Sequence, residues 1–149
     1  MNNMNEAGKR PLIILGSAVI LLLLLSAWSL KADLFTDGFH IDKSVICLEL
    51  DENRKPLHIS SKIQYGSRQI CLWFQYSKAK EGNHLDITWY YGKDKVLTEQ
   101  LKLMTADGVK AFYLLREEGT PLPVGSYKVV ISTPVKTLSE IKFDIVRRK

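Results

Sequence analysis

Two cysteines and three histidines are the residues of this chain best suited to nucleophilic, redox or metal chemistry. Cys47 and Cys71 each sit in an Ile-Cys-Leu triplet. Strand alternation turns both sulfurs away from the more apolar side, with Val45 and Glu49 beside Cys47 and Trp73 beside Cys71. If their strands are neighbours, the sulfurs meet as a disulfide. If not, they remain two half-buried thiols. Two sulfurs without a nearby histidine make half a zinc site, so no metal or cofactor is expected. His40, His58 and His84 fall in a tether, a turn and a strand start, and read as surface groups. Asp51-Glu52 and Glu117-Glu118 are paired carboxylates on turns, with no burial to shift their ionisation toward acid–base work. No His-x-x-x-His, Cys-x-x-Cys, phosphate loop or Gly-x-Ser-x-Gly elbow occurs. The expectation is no catalytic residue. An enzyme or small-ligand receptor would need a pocket that the sequence does not announce.

Exposed aromatics are the stronger lead. If Ile70, Leu72 and Phe74 face the core, Trp73 faces out. If Ala111, Tyr113 and Leu115 likewise face in, Phe112 and Leu114 join Trp73 in an outer apolar patch, a candidate partner surface. A slip of one residue would move every side chain of the strand to the opposite face.

These side chains need a scaffold. The chain has 149 residues, 46% of them hydrophobic and 9% aromatic, which excludes wholesale disorder. Its net charge of +5 is interspersed apart from Arg147-Arg148-Lys149, so the basic stripe of a nucleic-acid binder is absent. The stretch 12–30, opening on Leu12 and closing on Leu30, carries no charge. As a helix it spans about 28 Å, the thickness of a bilayer's hydrocarbon. Lys9 and Arg10 precede it while Lys31, Asp33 and Asp37 follow, so the positive-inside bias keeps residues 1–11 in the cytoplasm. The expected partner of 12–30 is the lipid bilayer, as a single-pass signal anchor in the cytoplasmic (inner) membrane. The rest would then be periplasmic or extracellular. The alternative is a signal peptide cut after Ala27-Trp28-Ser29, before Leu30, which releases a periplasmic or secreted subunit. Residues 31–43 read as a juxtamembrane tether.

From 44 to 149 the pattern becomes short alternating runs divided by turn residues. Seven strands are predicted, at 44–50, 68–76, 85–91, 96–103, 109–115, 126–132 and 138–146, with an edge segment in 57–65. Leu85, Ile87, Trp89 and Tyr91 share a face, as do Tyr127, Val129 and Ile131. With both apolar faces needing a partner, the fold class is all-β, two antiparallel sheets packed as a sandwich.

Trp89 within Ile-Thr-Trp-Tyr-Tyr and the run Pro123-Val-Gly125-Ser-Tyr127 resemble the buried tryptophan and tyrosine corner of immunoglobulin-like and fibronectin type III domains. Val129 stands where antibody domains place a core cysteine. The order Cys47, Lys55-Pro56, Trp73-Phe74, Trp89-Tyr90-Tyr91 and Pro123 to Tyr127 is similar to that of small bacterial exported sandwich domains with a membrane segment. The resemblance implies Trp89 and Tyr127 as core markers and a seven-stranded immunoglobulin-like sandwich, and carries no chemistry of its own. With no reactive motif in the sequence and an exported head expected, the reading is a non-catalytic binding or assembly module of the cell envelope, its partner an envelope protein.

Overall fold

The computed structural model describes residues 38–147, so the predicted membrane helix at 12–30 and the segment 1–11 lie outside the described residues. Every regular element within them is a strand: β1 (His40–Cys47), β2 (Glu49–Leu50), β3 (Pro56–Leu57), β4 (Lys62–Gln64), β5 (Gln69–Ser77), β6 (His84–Tyr91), β7 (Asp94–Lys102), β8 (Gly108–Leu115), β9 (Gly125–Ser132) and β10 (Thr137–Val146). Among the described residues no helix is long and apolar enough to cross a membrane.

Alternation of apolar and polar residues gives each long strand one face to bury, and two sheets bury those faces against each other. One sheet runs β1-β5-β8 and the other β4-β10-β9-β6-β7, while β2 and β3 form a separate ribbon. Neighbours are antiparallel except β4, which lies parallel to β10. Ile46, Ile70, Leu72, Phe74 and Leu114 form the inner face of the smaller sheet. Ile63, Leu85, Ile87, Trp89, Tyr127, Val129, Ile131, Phe143 and Ile145 oppose them. Trp89 is fully buried, with the Phe143 ring edge-on at 6.3 Å. Phe74 stacks on Phe112 at 6.2 Å and 5°.

Two of the long strands and the edge segment depart from the expected boundaries by more than one residue. The first opens at His40, so residues 40–43 are strand rather than tether. It breaks after Cys47, where Leu48 leads the chain off the sheet into β2. The segment expected over 57–65 divides into β3 and β4 around a crossing between sheets. The strand expected from Val96 opens two residues sooner, at Asp94, because Gly92 (φ 58) supports a tight hairpin directly after Tyr91.

Candidate functional site

The outer face of β1-β5-β8 carries two rows of side chains set by register. Cys47, Cys71 and Tyr113 lie opposite one another across the three strands, and Val45, Trp73 and Ala111 form the next row. The first row follows from alternation: Ile46, Ile70 and Leu72 face the core, so their neighbours Cys47 and Cys71 face out.

Outward does not mean exposed here. Residues 48–57 fold back as a strap over this face. Leu48 N–H donates to the Leu57 carbonyl at 3.3 Å, and Ser60 N–H donates to the Ile46 carbonyl at 3.2 Å. Asp51 tightens the strap's turn, its Oδ1 accepting from the N–H groups of Asn53 at 2.9 Å and Lys55 at 2.7 Å. Arg54 at the tip has φ 60, and its carbonyl accepts the Trp73 indole N–H at 2.8 Å. Cys47, Cys71 and Trp73 form a small second core with Val45, Leu50, Ala111 and Tyr113 around them. Trp73 is left 8% exposed and both cysteines 0%.

The expected surface of Trp73, Phe112 and Leu114 is therefore corrected on two counts. Phe112 and Leu114 pair with Leu72 and Ile70 and face the core, Leu114 being 5% exposed. Ala111 and Tyr113 face outward in their place, and Leu115 is exposed rather than buried. The run Val-Lys-Ala-Phe-Tyr-Leu-Leu has apolar residues at both parities, so alternation alone does not choose between faces. Trp73 faces out as expected, but the strap covers it.

Beside the strap a groove of about 340 Å³ stays open, lined by Leu50, Arg54, Trp73, Val109, Lys110, Ala111 and Tyr113. It runs along β8, the outermost strand of its sheet among the described residues. Its floor is aromatic and aliphatic, with Arg54 adding positive charge.

The thiols are hydrogen-bonded to each other. That bond and burial push Cys47 far above the usual thiol range. The same bond draws Cys71 down against its own burial, helped by a hydrogen bond from Tyr113. Burial and the adjoining Cys71 push the Tyr113 phenol up. The arrangement thus favours ionisation at Cys71 over Cys47.

The histidines stay apart. His58 lies 3.2 Å from Glu49 on the strap, both well exposed, and His84 opens β6. Asp51 is absorbed by its turn, and Glu118 faces Arg116 at 3.9 Å. Alternation gave no hint of one cluster. His40 Nε2 lies 2.8 Å from Asp42 Oδ1 and 3.2 Å from Ser77 Oγ, while Nδ1 faces the Gly38 carbonyl. An activated serine needs its hydroxyl and the orienting carboxylate on opposite nitrogens of the imidazole base. Here both groups converge on Nε2 and Ser77 donates to Asp42 at 2.9 Å, so the trio closes an edge instead of activating a hydroxyl. A second groove, of about 390 Å³, contains Lys62, Lys128, Lys142 and Asp144. Lys128 and Lys142 both turn to Glu140, at 3.6 and 3.4 Å, and Asp144 accepts from Ser126 at 2.6 Å. Lys128, Lys142 and Asp144 are thus engaged with neighbouring side chains rather than aimed at a ligand. Among the described residues no cluster of three or more His, Cys, Asp or Glu side chains could hold a metal.

At the sandwich end that carries the β8–β9 loop, the Tyr127 hydroxyl donates to the Pro123 carbonyl at 2.8 Å, and its ring stacks on Phe143 at 5.2 Å. Burial, then the neighbouring Tyr91, pushes its phenol up to about 12. Gly125 sits at φ 150, where residues with side chains are rare, and passes so close to Tyr91 that a Cβ there would lie 2.6 Å from the ring.

No family model matches the chain, and no curated protein sequence matches it. Its fold matches solved structures. An immunoglobulin-like protein from Pseudomonas aeruginosa superposes with a TM-score of 0.56 at 13% identity, over 73% of this chain and 97% of that one. The described residues form an immunoglobulin-like β-sandwich, structurally similar to that bacterial protein.

Proposed function

We propose that this immunoglobulin-like sandwich is a non-catalytic module of a bacterial cell envelope, anchored in the cytoplasmic membrane by 12–30 and binding a protein partner along β8. The observation that carries the reading is the open groove beside that strand. An outermost strand offers a row of backbone N–H and C=O groups to a further strand. Ala111 and Tyr113 on β8, with Trp73 beside Ala111 on β5, present the outward side chains against which alternate side chains of an added strand would rest. Arg54 favours an acidic segment. The occupant is therefore an extended, alternating apolar–acidic segment of another envelope protein. Support for the anchor comes from the uncharged stretch and its charge flanks. Catalysis is disfavoured because the His40, Asp42 and Ser77 trio closes on itself and neither groove is lined by a histidine or a cysteine.

Site-directed photo-crosslinking in intact cells tests the reading. A probe replacing Val109, which is 42% exposed at the groove, should trap one partner. A synthetic alternating apolar–acidic peptide should compete for that crosslink, and Arg54→Glu should weaken it. Equal crosslinking from a probe at Lys93, on the distant β6–β7 hairpin, overturns the groove as the site. Protease protection and intact mass test the location separately. A head shielded in the cytoplasm, or a mature chain beginning at Leu30, overturns the anchor.

A further inference from the structure

We propose that Cys47 and Cys71 are a disulfide-forming site, a clasp within one sheet that pins the root of the strap to β5. The two residues are direct partners in the β1–β5 register and point to the same outer face. Either kind of antiparallel pair sets opposed Cα atoms about 4.5–5.5 Å apart, inside the span a disulfide takes. The strands need not move to close it. Cys47 is also the last residue of β1 before the strap departs at Leu48, so the bond fixes the point about which the strap would hinge. It differs from the inter-sheet bridge of antibody domains, whose second position is Val129 here.

The chemistry is a two-step exchange. The Cys71 thiolate attacks one sulfur of a donor disulfide, such as that of a dithiol–disulfide oxidoreductase, forming a mixed disulfide and releasing one donor thiolate. Cys47 gives up its proton and attacks Cys71 Sγ, expelling the second donor thiolate. The pair loses two electrons and two protons, and the donor is reduced to a dithiol. Both sulfurs are fully buried under the strap, so the strap must lift before a bulky donor reaches Cys71. The closed clasp also takes from the Tyr113 hydroxyl its thiol partner, which ties the state of the sulfurs to a residue lining the groove.

In cells the clasp rests on the proposed export, because the cytoplasm keeps thiols reduced. The experiment is therefore paired. Cells expressing the full chain are acid-quenched and treated under denaturing conditions with a polyethylene-glycol maleimide, while protease protection on the same cells reports where the head lies. An exported head should show no thiol labelling until reductant is added, then two additions, with an intact mass about 2 Da lower when oxidised. An exported head with two free thiols overturns the clasp. If the head proves cytoplasmic, the export reading fails and the clasp is decided on the purified full chain in oxidised glutathione. Loss of both thiols to an intramolecular bond sustains it, and stable glutathione adducts or unreacted thiols overturn it. Asp51→Ala, which removes the acceptor tightening the strap, should speed oxidation of the reduced chain several-fold; an unchanged rate overturns the strap as the gate.

Discussion

Trp73 separates a docking surface from a second core. If it were a bare patch on a sheet, its truncation would cost binding and leave the fold intact. The structure places it under the strap, 8% exposed, with its indole N–H donating to the Arg54 carbonyl at 2.8 Å. Two variants resolve the contributions. Trp73→Phe keeps most of the apolar surface but leaves that carbonyl without its donor, at a net cost of about 1 kcal/mol. Trp73→Ala adds the loss of the ring. Burying large aromatics is worth about 3–5 kcal/mol by truncation, and a site under a two-stranded ribbon relaxes more than one between the sheets, so about 3 kcal/mol is expected. For a domain of this size, unfolding entropy makes each kcal/mol about 4 °C in Tm. The expected losses are therefore about 4 °C for Trp73→Phe and about 12 °C for Trp73→Ala. Thermal unfolding of the full chain followed by far-ultraviolet circular dichroism measures both. A Trp73→Ala protein melting within about 2 °C of the parent would refute the covered-tryptophan argument and return Trp73 to the open surface.

Leu114→Ala, in the core, should lower stability by about 2–4 kcal/mol, whereas Val109→Ala on the same strand should cost under about 0.5 kcal/mol; reversed sizes in urea denaturation would restore the opposite facing of β8. Tyr127→Phe should cost about 1 kcal/mol at neutral pH through the lost bond to Pro123. Because the folded phenol titrates at about 12 and an unfolded one near 10, the fold favours the protonated form. The stabilisation is complete below pH 10 and is lost as pH rises toward 12. The parent should therefore shed up to about 2–3 kcal/mol more than Tyr127→Phe across that window, and parallel alkaline slopes would count against it. Opening the Cys47–Cys71 clasp with reductant should lower Tm by about 14 °C, from a loop-closure contribution of about 3.5 kcal/mol; calorimetry with and without reductant checks this.

Much of the architecture was legible because most long strands have one apolar parity. Leu85, Ile87 and Trp89, or Tyr127, Val129 and Ile131, admit only one facing, and all six are buried. The outward aim of Cys47, Cys71 and Trp73 was legible for the same reason. The site itself was not, since a covered outer face and an exposed one share the same local pattern. What decides between them is the strap, which is held by one aspartate turn and a carbonyl–indole bond. β8 was misread because its apolar residues occupy both parities. The start of β1 was hidden by His-Ile-Asp-Lys, a polar run that a strand at the sheet's margin tolerates when His40, Asp42 and Ser77 satisfy one another. A register shift between Ile41 and Lys43 erases the alternation there as well.

The parallel pairing of β4 with β10 has a consequence for how the molecule comes into being. Among the described residues, Lys62, Ile63 and Gln64 take Asp144, Ile145 and Val146 as their strand partners, and Tyr65 N–H donates to the Val146 carbonyl at 2.8 Å. A ribosome makes β4 well before β10. Nascent chains stopped short of residue 144 should therefore remain protease-sensitive, and the emergence of β10 should trigger consolidation on the millisecond-to-second scale of topologies rich in distant contacts. If the head is exported as proposed, such a delay keeps it pliable while it is threaded through a narrow conduit.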